Sequence, residues 1–361
     1  MSILFTPANI GTIRIKNRFV RSATNDRATT EEGRVTDELV DYYGTLARGE
    51  IGLIITGHSY IHPLGKGSAR QLGVYDDSLI AGLRRLTDSV HETDGKIAMQ
   101  ITHAGRQTQA AIIGETPVAP SAIPYGLQKV MPRELSGAEI EAIIEDFGKA
   151  AGRAREAGFD AVQLHGAHGY LINQFLSPFS NKRTDKWGRG GSSSGRFTFL
   201  EAVYKSVRER VGPDFPVTIK LAMRDFVEGG LQVDDCIDIA SLLARLGIDA
   251  IETSGGFSGA MENIRRDVLP GKGEAYFRKE ASRLKKKVDV PVILVGGLRS
   301  KEVMEAILNA GDADFVSMSR PFIREPDLVI KFKGGEEATS CVSCSKCSVS
   351  REVELKCLSR G

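Results

Sequence analysis

The sequence is short of the features that mark several large classes of protein. It has one tryptophan, five cysteines, and acidic and basic residues that nearly cancel to a net charge of +2. A balanced charge favours neither a nucleic-acid groove nor a membrane surface, so we expect no nucleic-acid partner and no membrane association. No run of about 18 apolar residues is present, which predicts no transmembrane helix.

The amino terminus, MSILFTPANIG, lacks the basic segment followed by an apolar segment that a secretory signal has. We therefore expect a cytoplasmic protein. Five cysteines are few for a disulfide scaffold, but four of them lie within the last 21 residues: Cys341, Cys344, Cys347 and Cys357. In a reducing cytosol such clustering indicates a metal or redox site rather than disulfides.

Apolar, strand-like runs alternate with helical patterns along most of the chain. Several runs, such as IGLIIT and PVILVGG, are apolar on both faces, as in the strands of a parallel sheet. The predicted strands are Arg18–Ala23, Gly52–Thr56, Lys96–Thr102, Ala161–Leu164, Val217–Leu221, Ala250–Thr253, Val292–Val295 and Phe315–Met318. The predicted helices include Asp77–Glu92, Gly137–Ala157, Asp234–Leu246 and Lys301–Asn309, with a capping box at Ser136 and Glu139 and an N-cap at Ser300.

Three helix ends share a motif in which a glycine closes the helix and an Asp-Ala pair leads into a strand. The copies begin at Glu156, Arg245 and Asn309. Glycine supplies the left-handed residue that ends a helix. Eight strands with intervening helices predict an α/β fold, a (β/α)8 TIM barrel, with an open doubly wound sheet as the alternative. That alternative would have a glycine-rich turn after its first strand, and NRFVRSATNDR has none.

The composition divides the chain near its carboxyl end. We predict a barrel over residues 1–332, with a short N-terminal β-hairpin, and a cysteine-rich tail over residues 333–361, because the sequence changes to KGGEEATS after Phe332. The tract from Gly188 to Gly195 (GRGGSSSG) lies inside the barrel pattern and is interpreted as a loop.

One strand end carries three polar groups within six residues: His165, His168 and Tyr170. Side chains at the carboxyl ends of barrel strands are placed for chemistry. The two histidines could ligate a metal, fill hydrogen-bonded core sites, or donate to a carbonyl or nitro oxygen on which negative charge develops. Tyr170, with a reference pKa of about 10, would stay protonated at neutral pH and could donate a proton.

Other strand ends are also polar or glycine-rich. Gly297, Ser319 and Arg320 would follow strands 7 and 8, which is the usual phosphate site of such a barrel, although a glycine there can also be a simple turn residue. Gln100 and Lys220 interrupt otherwise apolar strands. A buried lysine needs a partner or an anion, and a glutamine amide suits the edge of a heteroaromatic ring, unless both side chains point outward at the barrel mouth.

Together these motifs resemble the Old Yellow Enzyme family of FMN-dependent NADH:flavin oxidoreductases, over essentially residues 3–332. The matching segments are LFTPANIGTIRIKNRFV, QITHAGRQ, QLHGAHGYLINQFLSPFSNKRTDKWG, DFVEGGL, ETSGG, ILVGGLRS and DFVSMSRP. The resemblance implies a TIM barrel that binds FMN and is reduced by NADH or NADPH. It also implies hydride delivery from flavin N5 to a small activated alkene, such as an enone or enoate.

The resemblance also implies a role for each site residue. His165 and His168 would hold the substrate's electron-withdrawing oxygen, Tyr170 would protonate the α-carbon, Gln100 would bind the flavin ring, and Lys220 would stabilise the reduced flavin. Lys220 stands where many members have arginine, which keeps the charge but loses the two-pronged geometry. The resemblance also implies that Ser22, Ala23 and Thr24 line the flavin ring, that Gly297, Ser319 and Arg320 hold the phosphate, and that Gly57, His165 and Gly256 bind the cofactor. Thr24 or Asn25 would be the residue that tunes the flavin.

The cysteine tail resembles the iron–sulfur motif of the larger relatives 2,4-dienoyl-CoA reductase and trimethylamine dehydrogenase. Thiolates at the spacing CVSCSKC, followed by Cys357, can hold a [4Fe–4S] cluster or a zinc ion, or they can be vestigial. Two alternatives to an ene-reductase stay open. One is a flavin-carrying electron-relay subunit that docks a partner through the tail, and the other is a metal-dependent barrel hydrolase that uses His165 and His168. The chain could also form a homo-oligomer.

Overall fold

The structure is a computed structural model that describes residues 2–124, 130–188, 193–257, 268–348 and 356–359. The strands are β1 (Ala8–Ile10), β2 (Ile13–Ile15), β3 (Phe19–Arg21), β4 (Leu53–Ile55), β5 (Ser59–Tyr60), β6 (Ile97–Thr102), β7 (Val118–Ala119), β8 (Arg133–Glu134), β9 (Ala161–Gly166), β10 (Val217–Ala222), β11 (Ala250–Ser254), β12 (Val292–Val295) and β13 (Phe315–Met318). The α-helices are α1 (Asp37–Arg48), α2 (Ile80–His91), α3 (Ala110–Ile113), α4 (Gly137–Glu156), α5 (Leu171–Leu176), α6 (Ser193–Val211), α7 (Val233–Leu246), α8 (Arg278–Lys285), α9 (Lys301–Asn309), α10 (Arg320–Arg324) and α11 (Leu328–Lys333). Short 3-10 helices cover Ile3–Phe5, Pro63–Gly65, Asp77–Leu79 and Lys346–Ser348.

Eight parallel strands close into a barrel. Their order is β4–β3–β13–β12–β11–β10–β9–β6, and β4 pairs with β6 to complete the ring. The fold is therefore the predicted (β/α)8 barrel, and each predicted strand overlaps one barrel strand. The sequence pattern is reliable here because these strands are buried on both faces, as in a barrel wall with helices outside it.

The N-terminal hairpin closes one end of the barrel. β1 and β2 are antiparallel, and Ile10 and Ile15 pack with the first residues of several barrel strands, including Ala161 and Ala250. A second, larger core lies between the outer face of the barrel and the helices. Because the hairpin fills the amino-terminal end, the carboxyl ends of the strands are left for a site.

The helix boundaries follow the local signals. The capping box at Ser136 and Glu139 begins α4 as predicted. Gly158, Gly247 and Gly311 all have positive φ angles of 69° to 92°, which confirms that glycine ends these three helices. None of the helices within the described ranges is long and apolar enough to cross a bilayer.

Two local predictions differ from the structure. Ser300 lies at the N-cap of α9, but its hydroxyl donates to Glu274 Oε1 instead of capping the helix, because that carboxylate also accepts from the backbone N–H groups of Arg299 and Ser300. The tract from Gly188 to Gly195 is not all loop, since α6 begins at Ser193, and residues 189–192 of this tract lie outside the described ranges.

Candidate active site

A buried lysine and glutamate lie side by side inside the barrel. The strand register pairs Lys220 with His165 on one side and with Glu252 on the other, so the three side chains share one level of the barrel. Lys220 Nζ is 2.7 Å from Ser22 Oγ and 3.3 Å from Glu252 Oε2. Burial lowers the pKa of Lys220, and the charge of Glu252 opposes that shift.

Glu252 accepts hydrogen bonds from three side chains. Its Oε1 accepts from Ser22 Oγ at 2.8 Å and Ser317 Oγ at 2.9 Å, and its Oε2 accepts from Gln163 Nε2 at 2.9 Å. Gln163 Oε1 in turn accepts from Gln100 Nε2 at 2.6 Å. The polar interior is therefore one connected network, in which the predicted flavin-binding residues Ser22, Gln100 and Lys220 are held by Glu252 and Gln163.

The two histidines and Tyr170 form an aromatic cluster beside this network. The ring centroid of His165 lies 5.1 Å from that of His168 and 4.6 Å from that of Tyr170. His168 Nε2 is 2.7 Å from Ser254 Oγ, whereas the buried His165 Nδ1 has no hydrogen-bond partner among the described residues. Tyr170 Oη is 3.2 Å from Nε2 of a third imidazole, His58.

Burial sets the protonation state of this cluster. It lowers the pKa of His168 to about 3 and that of His58 to about 4, and it lowers the pKa of His165 well below its ordinary value, with like charges adding to each shift. Burial raises the pKa of Tyr170 to about 12. At neutral pH the imidazoles are therefore neutral and the phenol is protonated.

A strained turn orients the cluster. His168 has a φ of 61°, which is uncommon for a residue with a side chain, and Gly169 follows with a φ of 72°. Asn173 Oδ1 accepts from the Gly169 N–H at 2.7 Å, and Gln174 Nε2 donates to the Gly169 carbonyl at 2.6 Å. Asn173 Nδ2 also donates to the fully buried Asp225, so the turn is held from both sides.

The residues after the first barrel strand divide between two neighbours. Thr24 Oγ1 is 2.7 Å from Ser319 Oγ, whereas Asn25 Nδ2 donates to Ser68 Oγ at 2.8 Å. Ala23, between Ser22 and Thr24, is partly buried. Thr24 therefore lies on the side of the last barrel strand, together with the predicted phosphate-binding residues.

Two predicted glycines use their N–H groups within the loops. Gly57 N donates to Tyr43 Oη at 2.9 Å and to Asp26 Oδ2 at 3.2 Å, and Gly256 N donates to the Arg224 carbonyl at 2.8 Å. Both glycines follow barrel strands at the end where the site lies. In this structure they shape the walls of the site through these backbone contacts.

The ends of the last two strands carry two arginines. Gly297 has a φ of 76°, and a Cβ there would come within 2.8 Å of the Tyr276 ring, so only glycine fits. Arg299 is 1% exposed and donates to Ser343 Oγ at 2.5 Å, but its Nε has no partner among the described residues. Arg320 Nη1 donates to the Ser343 carbonyl at 3.1 Å and to Ser345 Oγ at 3.0 Å.

These features fit a flavin mononucleotide. Its ring needs polar partners at one edge, which Gln100 and Lys220 can supply, and its phosphate needs cations and accessible N–H groups, which Arg299, Arg320 and Gly297 can supply. Burial and the nearby charge of Arg320 lower the pKa of the Arg299 guanidinium, so a neighbouring anion would stabilise its charged form. The Nε of Arg299, which has no partner among the described residues, offers such an anion an N–H donor. FMN has both parts, a heteroaromatic ring and a phosphate.

The four tail cysteines line one small pocket, together with Arg320 and Arg324. Arg324 Nη1 lies 3.5 Å from Cys357 Sγ. All five cysteines of the chain are present as thiols, and Cys236 is buried separately in α7. Among the described residues, no three histidine, cysteine, aspartate or glutamate side chains converge closely enough to hold a single metal ion.

Sequence reasoning missed three residues of the site: His58, Glu252 and Arg299. Glu252 carried a signal, because a carboxylate in the apolar run AIETS must have a buried partner. Arg299 lies in the ILVGGLRS motif, two residues after Gly297. His58 had no such signal, because it lies in a loop between β4 and β5. Its contact partner, Tyr170, is 112 residues further along the chain.

Comparison with known proteins identifies the family. The profile of the NADH:flavin oxidoreductase / NADH oxidase family matches residues 3–338. An NADH oxidase of Thermoanaerobacter brockii is 41% identical over 347 residues, which is 95% of this chain and 52% of that protein. The chain spans about half the length of the curated relatives it matches.

Two solved structures share the fold. One is a complex of 2-naphthoyl-CoA reductase with 2-naphthoyl-CoA, with a TM-score of 0.90, 29% identity, and coverage of 98% of this chain and 56% of that one. The other is an Old Yellow Enzyme homologue from Zymomonas mobilis, with a TM-score of 0.79, 27% identity, and coverage of 94% and 95%. The chain belongs to the NADH:flavin oxidoreductase / NADH oxidase family, to which Old Yellow Enzyme is related in sequence and fold.

Proposed function

We propose that this chain is an FMN-dependent oxidoreductase that takes hydride from NADH or NADPH and reduces an activated C=C bond. The observation that supports it best is the arrangement of Tyr170, His165 and His168 at the same barrel end as the buried Lys220. Bound FMN would supply the hydride from its N5 atom. His165 and His168 would bind the substrate, and Tyr170 would supply the proton.

His165 and His168 would bind the electron-withdrawing oxygen of the substrate. Both imidazoles are neutral at pH 7, so each offers one N–H donor without a competing charge. Donors aimed at an oxygen that gains negative charge stabilise the transition state more than the ground state. An enone or an enoate carries such an oxygen conjugated to its C=C bond.

Tyr170 would protonate the α-carbon. Because burial raises its pKa to about 12, the phenol keeps its proton across the neutral range. A positioned general acid contributes about 10²- to 10⁴-fold to a rate. The neighbouring ring of His165, 4.6 Å away between centroids, would place the substrate oxygen and the proton donor on one side of the substrate.

Lys220 and the phosphate-site residues would hold the cofactor. The Lys220 ammonium would stabilise negative charge on the reduced flavin, and Gln100 would hydrogen-bond the ring. Arg299, Ser319 and Arg320 would hold the phosphate, with the Gly297 turn allowing close approach. Thr24 is the strand-end residue we propose as tuning the flavin, since it contacts Ser319 while Asn25 contacts Ser68.

The test begins with an ultraviolet–visible spectrum of the anaerobically purified chain. We expect flavin bands, bleaching by NADH or NADPH, and their return on addition of 2-cyclohexenone or crotonate. A protein that neither contains nor takes up FMN would contradict the proposal. So would a flavin that is reduced by both nucleotides but not reoxidised by any activated alkene, which would favour an electron-relay subunit.

A second proposal concerns the tail, residues 333–361, which we take as an appendage to the barrel of residues 1–332. We propose that Cys341, Cys344, Cys347 and Cys357 bind a [4Fe–4S] cluster. The supporting observation is that all four line one pocket with two arginines, whose charges suit an anionic thiolate cluster.

Cysteine replacement tests this second proposal. Cys357→Ser should lower bound iron and sulfide and the broad absorbance near the flavin bands, while flavin content is kept. Cys236→Ser is the matched control, because Cys236 is buried in α7 and should not change the iron content. One zinc per chain, or full iron content in Cys357→Ser, would contradict the cluster. A cytoplasmic setting, which we propose, keeps such thiolates reduced.

The contacts of the two histidines do not favour a metal-dependent hydrolase. His168 Nε2 already contacts Ser254 Oγ at 2.7 Å, and within the described ranges no third ligand joins the two histidines.

A further inference from the structure

His58 makes a polar contact with the Tyr170 hydroxyl. It lies in the short loop between β4 and β5, with Nε2 3.2 Å from Tyr170 Oη and ring centroids 5.1 Å apart. Its ring also lies 6.1 Å from that of His165. The phenol oxygen is therefore enclosed by two imidazoles, and only one of them, His58, is within hydrogen-bond distance.

The tautomer of His58 decides where the Tyr170 proton points. If Nε2 is bare, it accepts the phenol proton and draws it away from any substrate. If Nε2 carries the proton, it donates to Tyr170 Oη and leaves the phenol proton directed elsewhere. Only the second arrangement leaves Tyr170 ready to protonate a carbon atom.

We propose that His58 is a positioning residue that donates its Nε2–H to Tyr170 Oη, so that the phenol proton faces the substrate and the developing phenolate is stabilised. This inference rests on the proposed function, since it concerns the proton donor of that reaction. His58 would therefore have a role distinct from those of His165, His168 and Tyr170.

The proton and electron balance is simple. The substrate π bond breaks as Cβ gains a hydride supplied by reduced flavin and Cα gains the proton from Tyr170 Oη, which becomes a phenolate. The Nε2–H of His58 stabilises this phenolate through the hydrogen bond and stays on the imidazole, and the phenolate then takes a proton from solvent, which restores the starting state. The net proton of each turnover therefore comes from solvent.

The surroundings of both groups explain why a donor is needed. Burial raises the pKa of Tyr170 to about 12, because a phenolate is poorly solvated there. Burial, helped by the charges of Lys220 and Arg27, lowers the pKa of His58 to about 4, so His58 is neutral at pH 7 and carries a single N–H. That one proton can lie on the nitrogen that faces Tyr170.

The kinetic test compares two replacements of similar size. His58→Gln keeps an N–H donor, whereas His58→Leu has none. With flavin reduced by dithionite, we expect reoxidation by 2-cyclohexenone to slow at least about 10-fold in His58→Leu and much less in His58→Gln. The solvent deuterium isotope effect should rise in His58→Leu, while flavin content and the rate of flavin reduction by NADH stay unchanged. Equal reoxidation rates in both variants would overturn the inference.

A spectroscopic test does not depend on turnover. In wild-type protein labelled with ¹⁵N-histidine, with the His58 signals assigned by their loss in His58→Gln, we expect a protonated Nε2 and a bare Nδ1. A bare Nε2 overturns the inference whether or not any alkene is reduced. If the tautomer is as expected but no alkene is reduced, the proposed function fails while the hydrogen bond stands.

Discussion

The ammonium of Lys220 lies 3.3 Å from the carboxylate of Glu252 in the barrel interior, where the two side chains are 4% and 0% exposed. Both are on adjacent strands at one register level. Removing one partner of a buried pair leaves an uncompensated charge and costs about 3–5 kcal/mol. Glu252 therefore favours the charged form of Lys220 at the place where the flavin is proposed to bind.

Glu252→Gln should lower the free energy of unfolding by about 3 kcal/mol or more, since the buried ammonium loses its counter-ion. Urea denaturation measures the change. The matched control is Glu201→Gln, which breaks an ion pair with Lys205. The side chains of Glu201 and Lys205 are 36% and 62% exposed, so the loss of this pair should cost less than about 1 kcal/mol. Similar losses in both variants would contradict this account of the interior.

Lys220→Gln should lower the midpoint potential of bound flavin, because the reduced form loses a nearby positive charge. A loss of about 1.4 kcal/mol corresponds to about 30 mV for a two-electron couple. Spectroelectrochemical titration measures it, with Lys220→Arg as the control that keeps the charge. A potential that is equal in the two variants would show that the ammonium does not act on the flavin.

Much of the fold could be predicted from the sequence because the barrel strands are apolar on both faces and glycine ends three helices. The start of α6 at Ser193 was missed, since GRGGSSSG has the composition of a loop while the helix is fixed by packing against α4 and α5. The site residues Lys220 and Gln100 could be identified as polar groups in apolar strands. Their partners Glu252 and Gln163 depend on which strands become neighbours, which the sequence does not state.

Asn173→Ala should loosen the turn that carries His168 and Tyr170. The Gly169 N–H and Asp225 would each lose a partner, at a cost of about 1–3 kcal/mol in stability. We expect a higher KM and lower kcat for alkene reduction with unchanged flavin content, measured in steady state. Asn9→Ala, at an exposed position of the hairpin, is the control and should change neither value. An unchanged KM and kcat in Asn173→Ala would show that the clamp is not needed.

The buried histidines should make the folded protein less stable in mild acid. The pKa values of His58 and His168 are lowered from 6.5 to about 4 and about 3, so below pH 6.5 the unfolded chain binds protons that the folded chain does not. Stability is therefore full above pH 6.5 and falls as the pH drops towards 4. Urea denaturation at several pH values should show a shallower slope in His168→Gln than in wild type. An equal slope would indicate that His168 titrates normally when folded.

The half-reactions of Tyr170→Phe test the central claim most directly. The replacement removes the proposed acid and leaves the ring in place. In anaerobic stopped-flow measurements we expect flavin reduction by NADH to proceed at nearly the wild-type rate and reoxidation by 2-cyclohexenone to slow by about 10²-fold or more. Equal effects on the two half-reactions, or reoxidation at the wild-type rate, would contradict the assignment of Tyr170 as the proton donor of an FMN-dependent ene-reductase.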